Sequence, residues 1–395
     1  MASESQGQSV ECGTSAQSKF LQQIQQSPAI EEESLTERLQ IKLDNAGVID
    51  MLKVVSSNEL KLERGDNGSK HLGEGATGNV YAAEVMGTLT ACKVMAASNV
   101  KTIDQIVREV STLTKIQTHP HDGLLHVVGL SILTETSKCH PQIPEVVVAT
   151  QLHDLGTLSD LLRILKAGSS ALQSGYDLTE QELFGIGVDL LDSLNHFHTL
   201  TGMVHLDMKP ANLLVANTGR LVICDFGMSR SLKELENPPF FMTGTPPYMA
   251  PEVQLTSSDY AVTQAADVYS VGAILRDIFA LGADWVPIDA KIAKQAMMKR
   301  HETAYQQLVR GSSCGVDVDL QDMAKTIFKN FESEPPCLAF HCPKTLSLLQ
   351  NMMNPDAEKR PTAHLATKQL HEIANSRWPG WTAARVRRSD FRKLR

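Results

Sequence analysis

The chain has 395 residues, 42% of them hydrophobic, and a formal charge of −8. That length allows two compact domains or one two-lobed domain with tails. The negative balance argues against a general nucleic-acid-binding surface, and no apolar run approaches the ~18 residues that cross a bilayer. Seven scattered cysteines, an odd number, fit the reduced thiols of a cytoplasmic or nuclear protein. The N-terminus lacks the basic start and apolar run of a secretory signal, and Ala2 stands where myristoylation needs glycine.

Residues 1–30 are rich in Ser, Gln and Gly and too poor in large apolar groups to bury a core. The next stretch, Glu31–Met51, carries Leu35, Leu39, Leu43 and Ile49 at irregular helical spacing. It reads either as a marginal partner-binding helix or as part of a disordered leader. Order is expected from Asn58 onward, which makes residues 1–58 a largely disordered leader.

Leu72-Gly73-Glu74-Gly75-Ala76-Thr77-Gly78-Asn79-Val80-Tyr81 is a G-x-G-x-x-G run. Dinucleotide-binding folds share the spacing but open a helix after it, whereas Val80–Val85 here continues as a strand. Glycines in a strand–turn–strand let backbone N–H groups approach phosphate oxygens with no Cβ in the way. Lys93 follows on a short strand, Thr90–Val94, where a lone lysine is usually solvated. Over 102–117, Ile103, Ile106, Val107, Val110, Leu113 and Ile116 repeat at helical spacing, with Thr102 and Gln105 as a capping box. Glu109 adjoins that apolar stripe, so its carboxylate faces the domain rather than solvent.

Glu145–Gln151 is a continuous apolar strand. Thr179 and Glu182 form a second capping box. It opens a long helix with Leu183, Ile186, Leu190, Leu191, Leu194 and Phe197 on one face, ending before Gly202. Two short β-prone runs, Leu213–Val215 and Leu221–Cys224, then flank a polar turn and predict a hairpin. Asp207, Lys209 and Asn212 precede this hairpin and Asp225 follows it, so the hairpin returns Asp225 toward Asn212. Two such oxygen ligands suit Mg²⁺, which completes its shell with waters and phosphates. Asp207 beside Lys209 can accept a hydroxyl proton and stabilise charge on a transferring phosphoryl group.

Asp267 opens another apolar helix, Val268–Leu281, as an N-cap. Cys337, His341 and Cys342 lie in one short segment with no second pair nearby, a poor tetrahedral zinc site. Arg377, Arg385, Arg387, Arg388, Arg392, Lys393 and Arg395 stand against one acid, Asp390. They read as a solvated tail or as a docking patch for an anionic partner.

His205-x-Asp207-x-Lys209-x-x-Asn212 followed by Asp225-Phe226-Gly227 resembles the catalytic and magnesium loops of eukaryotic protein kinases. The resemblance covers about residues 59–372 and implies a two-lobed α+β fold. An N-lobe over 59–150 would hold an antiparallel β-sheet with one helix. A hinge at 151–154 would join it to a mainly helical C-lobe over 155–372, with a basic tail at 373–395. ATP would lie between the lobes under the loop Leu72, Gly73, Glu74, Gly75, Ala76, Thr77, Gly78, Asn79 and Val80, with Leu72 and Val80 covering the adenine. Lys93, positioned by Glu109, would grip the α/β-phosphates. Thr150 would stand at the back of the adenine pocket, with the Gln151 carbonyl and the His153 backbone at the adenine edge. Asp207 would deprotonate the acceptor, and Asn212 and Asp225 would bind Mg²⁺.

The resemblance also implies that Gly244–Glu252 ends an activation segment, that Asp267 holds the catalytic-loop backbone, and that Arg360 pairs with a buried Glu252. Lys209 and the Gly244-Thr245 pair favour serine or threonine acceptors in protein substrates. The hinge and Gly156-Thr157-Leu158 are similar to the tyrosine-kinase-like or MAP-kinase-kinase-kinase groups. One departure is Leu206, where the family usually has an arginine that binds a phosphate on the activation segment. Its loss implies weaker dependence on that phosphate. Cys224, next to Asp225, is either a reactive thiol at the rear of the nucleotide pocket or a buried inert one. The alternative to an enzyme is a pseudokinase that binds nucleotide or partners without turnover, although every residue with a direct role in transfer is present.

Overall fold

The structure, a computed structural model, describes residues 34–56, 58–62, 69–75, 77–134, 143–169, 179–236, 246–255, 261–279 and 342–383. Ala76, Thr243, Gly244, Thr245, the 337–341 segment and the basic residues from Arg385 onward lie outside them. Among the described residues no helix is long and apolar enough to cross a membrane.

Two helices come first, α1 (Leu35–Asn45) and α2 (Val48–Met51). Of the two readings of this stretch the helical one holds, so order begins well ahead of Asn58, which corrects the expectation of a largely disordered leader up to that residue. Ser34 and Glu37 close a reciprocal capping box at the start of α1. Leu39 and Leu43, spaced i, i+4, are fully buried and share one core with Ile103, Ile106 and Val110. An eleven-residue amphipathic helix is marginal alone in water. Burying a leucine contributes roughly 1.5–3 kcal/mol, so the partner surface decides whether this helix forms.

An antiparallel sheet follows. Its strands are β1 (Leu60–Lys61), β2 (His71–Gly75), β3 (Gly78–Val85), β4 (Thr88–Ala96), β5 (Val127–Leu133) and β6 (Glu145–Gln151). They lie in the order β1-β3-β4-β6-β5, with β2 paired to β3. In β4 the side chains alternate: Thr90, Cys92 and Val94 are buried on one face, and Lys93 lies on the other, opposite Val80 and Val148. Between β4 and β5 runs α3 (Val100–Thr118). Its cap is not Thr102 with Gln105 as expected but Asn99 with Thr102. The Asn99 side chain accepts from the Thr102 N–H at 3.0 Å, and Thr102 Oγ1 accepts from the Asn99 N–H at 3.0 Å. An asparagine four residues before Ile103, the first residue of the apolar stripe, offered the better acceptor.

The second half is helical. It contains α4 (Leu158–Ser169), α5 (Glu180–Thr201), α6 (Leu232–Leu235), α7 (Pro251–Leu255), α8 (Ala265–Phe279), α9 (Pro343–Met352) and α10 (Ala363–Arg377). Thr179 and Glu182 make the expected capping box on α5, and Gly202 closes the helix in the left-handed conformation. Short ladders join β7 (Met203–Val204) to β10 (Arg230–Ser231) and β8 (Leu213–Val215) to β9 (Leu221–Ile223). Phe184 and Phe279 are fully buried and tilt together at 5.3 Å in the core between α5 and α8.

The helical lobe runs past residue 372. Ile373 and Ala374 are buried on α10, Trp381 is 7% exposed, and Arg377 donates to Glu180 at 2.7 Å. Arg377 is therefore part of the lobe and not of a basic tail. The apolar side of α10 simply continues one more turn onto α5.

Candidate active site

The β8–β9 hairpin pairs Leu213 with Ile223 and Val215 with Leu221. Its closure brings the Cys224 N–H onto the Asn212 carbonyl at 3.0 Å. The loop ahead of β8 is held from beneath. Asp267 lies in the first turn of α8, inside the helix rather than capping it, and is fully buried. Its carboxylate accepts from the His205 N–H at 2.7 Å and the Leu206 N–H at 2.9 Å. His198 of α5 reaches the same carboxylate at 2.8 Å. Burial would raise the Asp267 pKa, but the His198 hydrogen bond and charge, with His205, hold it below the usual carboxylate range.

These contacts secure an unusual backbone. Leu206 has φ +68° and Asp225 φ +62°, and such left-handed residues cost of order 1–3 kcal/mol unless their surroundings over-determine them. His205 joins the two loops. Its Nδ1 accepts from the Asp207 N–H at 3.3 Å, so its other ring nitrogen carries the proton and donates to the Cys224 carbonyl at 3.2 Å.

Asp207 Oδ2 accepts from Lys209 Nζ at 2.7 Å and from Asn212 Nδ2 at 2.8 Å. The Asn212 amide also donates to the Asp207 carbonyl at 2.8 Å. With both bonds on its nitrogen, the Asn212 amide oxygen is the atom left to suit a cation.

Lys93 Nζ donates to Glu109 at 2.6 Å and to Asp225 at 3.1 Å. Burial alone would lower the Lys93 pKa, but the two carboxylates more than offset it and hold the ammonium above the ordinary lysine value. Asp225 is likewise pulled down by Lys93 against its own burial. Phe226, fully buried, lies tilted against Phe197 at 5.3 Å and edge-on to His205 at 5.2 Å. That anchor sets the side from which Asp225 faces Lys93.

The glycine-rich turn closes the opposite wall. A Cβ on Gly78 would stand 2.1 Å from the Val94 carbonyl oxygen, so only glycine lets β3 lie this close to β4. Thr77 Oγ1 donates to Glu109 at 3.0 Å, a contact with no signal in the sequence. Leu72, Glu74, Gly75 and Asn79 are exposed, while Gly73 and Val80 are half-buried. Thr150 is buried, with its hydroxyl on the Ala91 carbonyl at 3.2 Å. Gln151 is exposed and His153 half-buried at the start of the connection to α4. Burial, followed by His126, lowers the His153 pKa.

Cys224 is boxed in. Its thiol donates to the Asn212 carbonyl at 3.3 Å, and burial, reinforced by Asp225, pushes its pKa up to about 12. The inert alternative is the one the structure favours.

Sequence reasoning gave no role to His198, nor to Tyr248, whose hydroxyl donates to Asp277 at 2.8 Å. Among the described residues no group of three His, Cys, Asp or Glu side chains could hold a metal. Two hard oxygen donors, on Asn212 and Asp225, instead fit a cation that takes the rest of its shell from phosphates and water.

A model of the protein kinase domain matches residues 67–374. The chain is 29% identical over 207 residues to a probable serine/threonine-protein kinase of Dictyostelium discoideum, covering 52% of this chain and 31% of that protein. To the serine/threonine-protein kinase CTR1 of Arabidopsis thaliana it is 28% identical over 222 residues, 55% of this chain and 24% of that protein. To the mitogen-activated protein kinase spm1 of Schizosaccharomyces pombe it is 32% identical over 237 residues, 57% of this chain and 50% of the relative. The chain spans half the length of these relatives or less.

Proposed function

We propose, for a chain that belongs to the protein kinase family, that it transfers the γ-phosphoryl group of ATP to serine or threonine hydroxyls of protein substrates. The observation that carries this reading is the pair of charge clusters joined by the β8–β9 hairpin: Asp207 held by Lys209 and Asn212, and Lys93 held between Glu109 and Asp225.

Asp207 takes the acceptor's hydroxyl proton. Lys209, already 2.7 Å from its carboxylate, offsets the negative charge that builds on the phosphoryl oxygens. Lys93 grips the nucleotide phosphates and keeps its charge because Glu109 and Asp225 offset its burial. Asn212 and Asp225 would hold Mg²⁺, which when bound neutralises phosphate charge. Leu72, Gly73, Glu74, Gly75, Gly78 and Val80 form the cover for the nucleotide, with the Gln151 carbonyl and the His153 backbone at the adenine edge.

The test is transfer of radiolabel from ATP to a basic protein substrate, wild type against Asp207→Asn. We expect the variant to lose at least ~10²-fold in kcat. Nucleotide binding by wild type without any transfer would favour the pseudokinase alternative and sink the proposal.

A further inference from the structure

The segment 34–56 precedes the 67–374 stretch matched by the kinase-domain model, yet it is docked on α3, the helix that carries Glu109. Leu39 and Leu43 of α1 and Val48 of α2 are fully buried in the core shared with α3. Lys42 pairs with Asp104 on the first turn and a half of α3. The segment then runs along the sheet edge. The Val55 N–H donates to the Leu130 carbonyl at 2.7 Å, and the Leu130 N–H to the Lys53 carbonyl at 2.8 Å. β5 is the edge strand of the sheet, so these bonds cover an otherwise open row of backbone groups. The fit is close. A Cβ on Gly129 would stand 2.4 Å from Val55 Cγ2.

Helix α3 is otherwise held by the sheet, by α5 and by the 3-10 turn of Phe226–Met228, while α1 and α2 pack on it from outside the matched domain. Glu109 lies five residues along from Asp104, more than one turn of the same rigid element. A shift or rotation of α3 would carry the Glu109 carboxylate off Lys93, and a misplacement of about 1 Å can cost ~10²-fold in rate.

We propose that residues 34–56 are an intramolecular positioning strap: Leu39, Leu43 and Lys42 act through α3 to keep Glu109 on Lys93. The inference rests on the phosphoryl-transfer reading and deepens it by adding residues that never touch substrate.

The test compares full-length wild type, Leu39→Ala/Leu43→Ala, the volume-conserving Leu39→Met/Leu43→Met, and Ile41→Ala on the exposed side of α1. Steady-state transfer is read against ATP concentration, with hydrogen exchange followed separately over 100–118 and over 363–377, on α10. The double alanine variant should lose about tenfold or more in kcat/KM for ATP, with faster exchange over 100–118 and unchanged exchange over 363–377. Ile41→Ala and the double methionine variant should stay near wild type. A second, milder set needs no core change. Lys42→Glu should lower kcat/KM about twofold, and Lys42→Glu/Asp104→Lys should restore it.

Wild type that transfers no phosphate would overturn the activity reading and the strap together. An active wild type matched by the double alanine variant, or a loss accompanied by faster exchange in both segments, would overturn the strap alone. Failure of the charge swap to restore the Lys42→Glu loss would do the same.

Discussion

Lys93 sits between the carboxylates of Glu109 and Asp225, which hold its charge against burial. The Lys93 and Glu109 side chains are 14% and 4% exposed, so removing one partner leaves a poorly solvated charge that costs about 3–5 kcal/mol. Lys93→Met should abolish transfer, by ~10²-fold or more in kcat, and lower the thermal midpoint as well. Glu109→Gln should be milder, because the neutral amide leaves Lys93 paired with Asp225 and can still accept the Thr77 hydroxyl. Kinetics and calorimetry on both variants check the order; a more damaging Glu109→Gln would contradict it. Cys224 belongs at this scale too. Cys224 and Cys342 are both half-buried, but the Cys224 thiol is bonded to the Asn212 carbonyl and its pKa is pushed up. At Cys342 burial is outweighed by hydrogen bonds from Thr345, which hold the thiol below its usual value. Among the described cysteines Cys342 should therefore be alkylated first, with or without nucleotide. Mass spectrometry of the labelled peptides decides it.

Leu206 shows how an element takes over a task from a charge. It packs with Val204, Met249, Ala250, Val253 and Ala266 in one apolar cluster, tying the catalytic loop to the stretch entering α7. Ser229 is fully buried, and Ser231 is occupied in capping α6 through Glu234. Activity should therefore survive phosphatase treatment within about twofold, since no cation at position 206 waits for a phosphate. Leu206→Ala should cost about 2–5 kcal/mol, and Leu206→Met well under that. Activity that collapses after phosphatase treatment would show the apolar tie to be insufficient.

The elements also separate what sequence can and cannot carry. The β8–β9 hairpin and the α5 capping box follow from alternation, turn residues and a local acceptor, all within a few positions. Lys93 on its strand and Glu109 beside an apolar stripe were visible for the same reason, each set by the period of its own element. The Asp267 grip on His205 and Leu206 spans some sixty residues, and nothing local announces it without the family pattern. The α1 leucines were visible as spacing, but only α3 supplies the surface that turns spacing into a helix. Arg377 looked like tail because its charge outweighed the apolar side of the helix it ends.

At the scale of the whole molecule, a few buried polar joints lock loops to the helical lobe. Arg360 meets Glu252 with two bonds of 2.7 Å and also donates to the Ala265, Asn354 and Pro355 carbonyls. A lysine cannot reproduce that fork. Arg360→Lys should lower the thermal midpoint, and Arg360→Leu should do so by roughly 6–20 °C. Asp267 is the other such joint, and it makes a claim about acid. Its folded pKa lies below the ordinary aspartate value, as do those of Asp225 and Asp192. A depressed carboxylate contributes stability that is present above the unfolded value of about 3.9 and is lost as pH falls through the folded value. Resistance to urea should thus be level near neutrality and fall away below about pH 4. In Asp267→Asn the amide still accepts one backbone N–H but carries no charge to lose. That variant should start less stable, because its amide nitrogen faces a second donor, and then lose less on acidification. Urea midpoints for both proteins between about pH 6 and pH 3 test this. Parallel decline would mean that Asp267 stays out of the acid transition and that other carboxylates govern it.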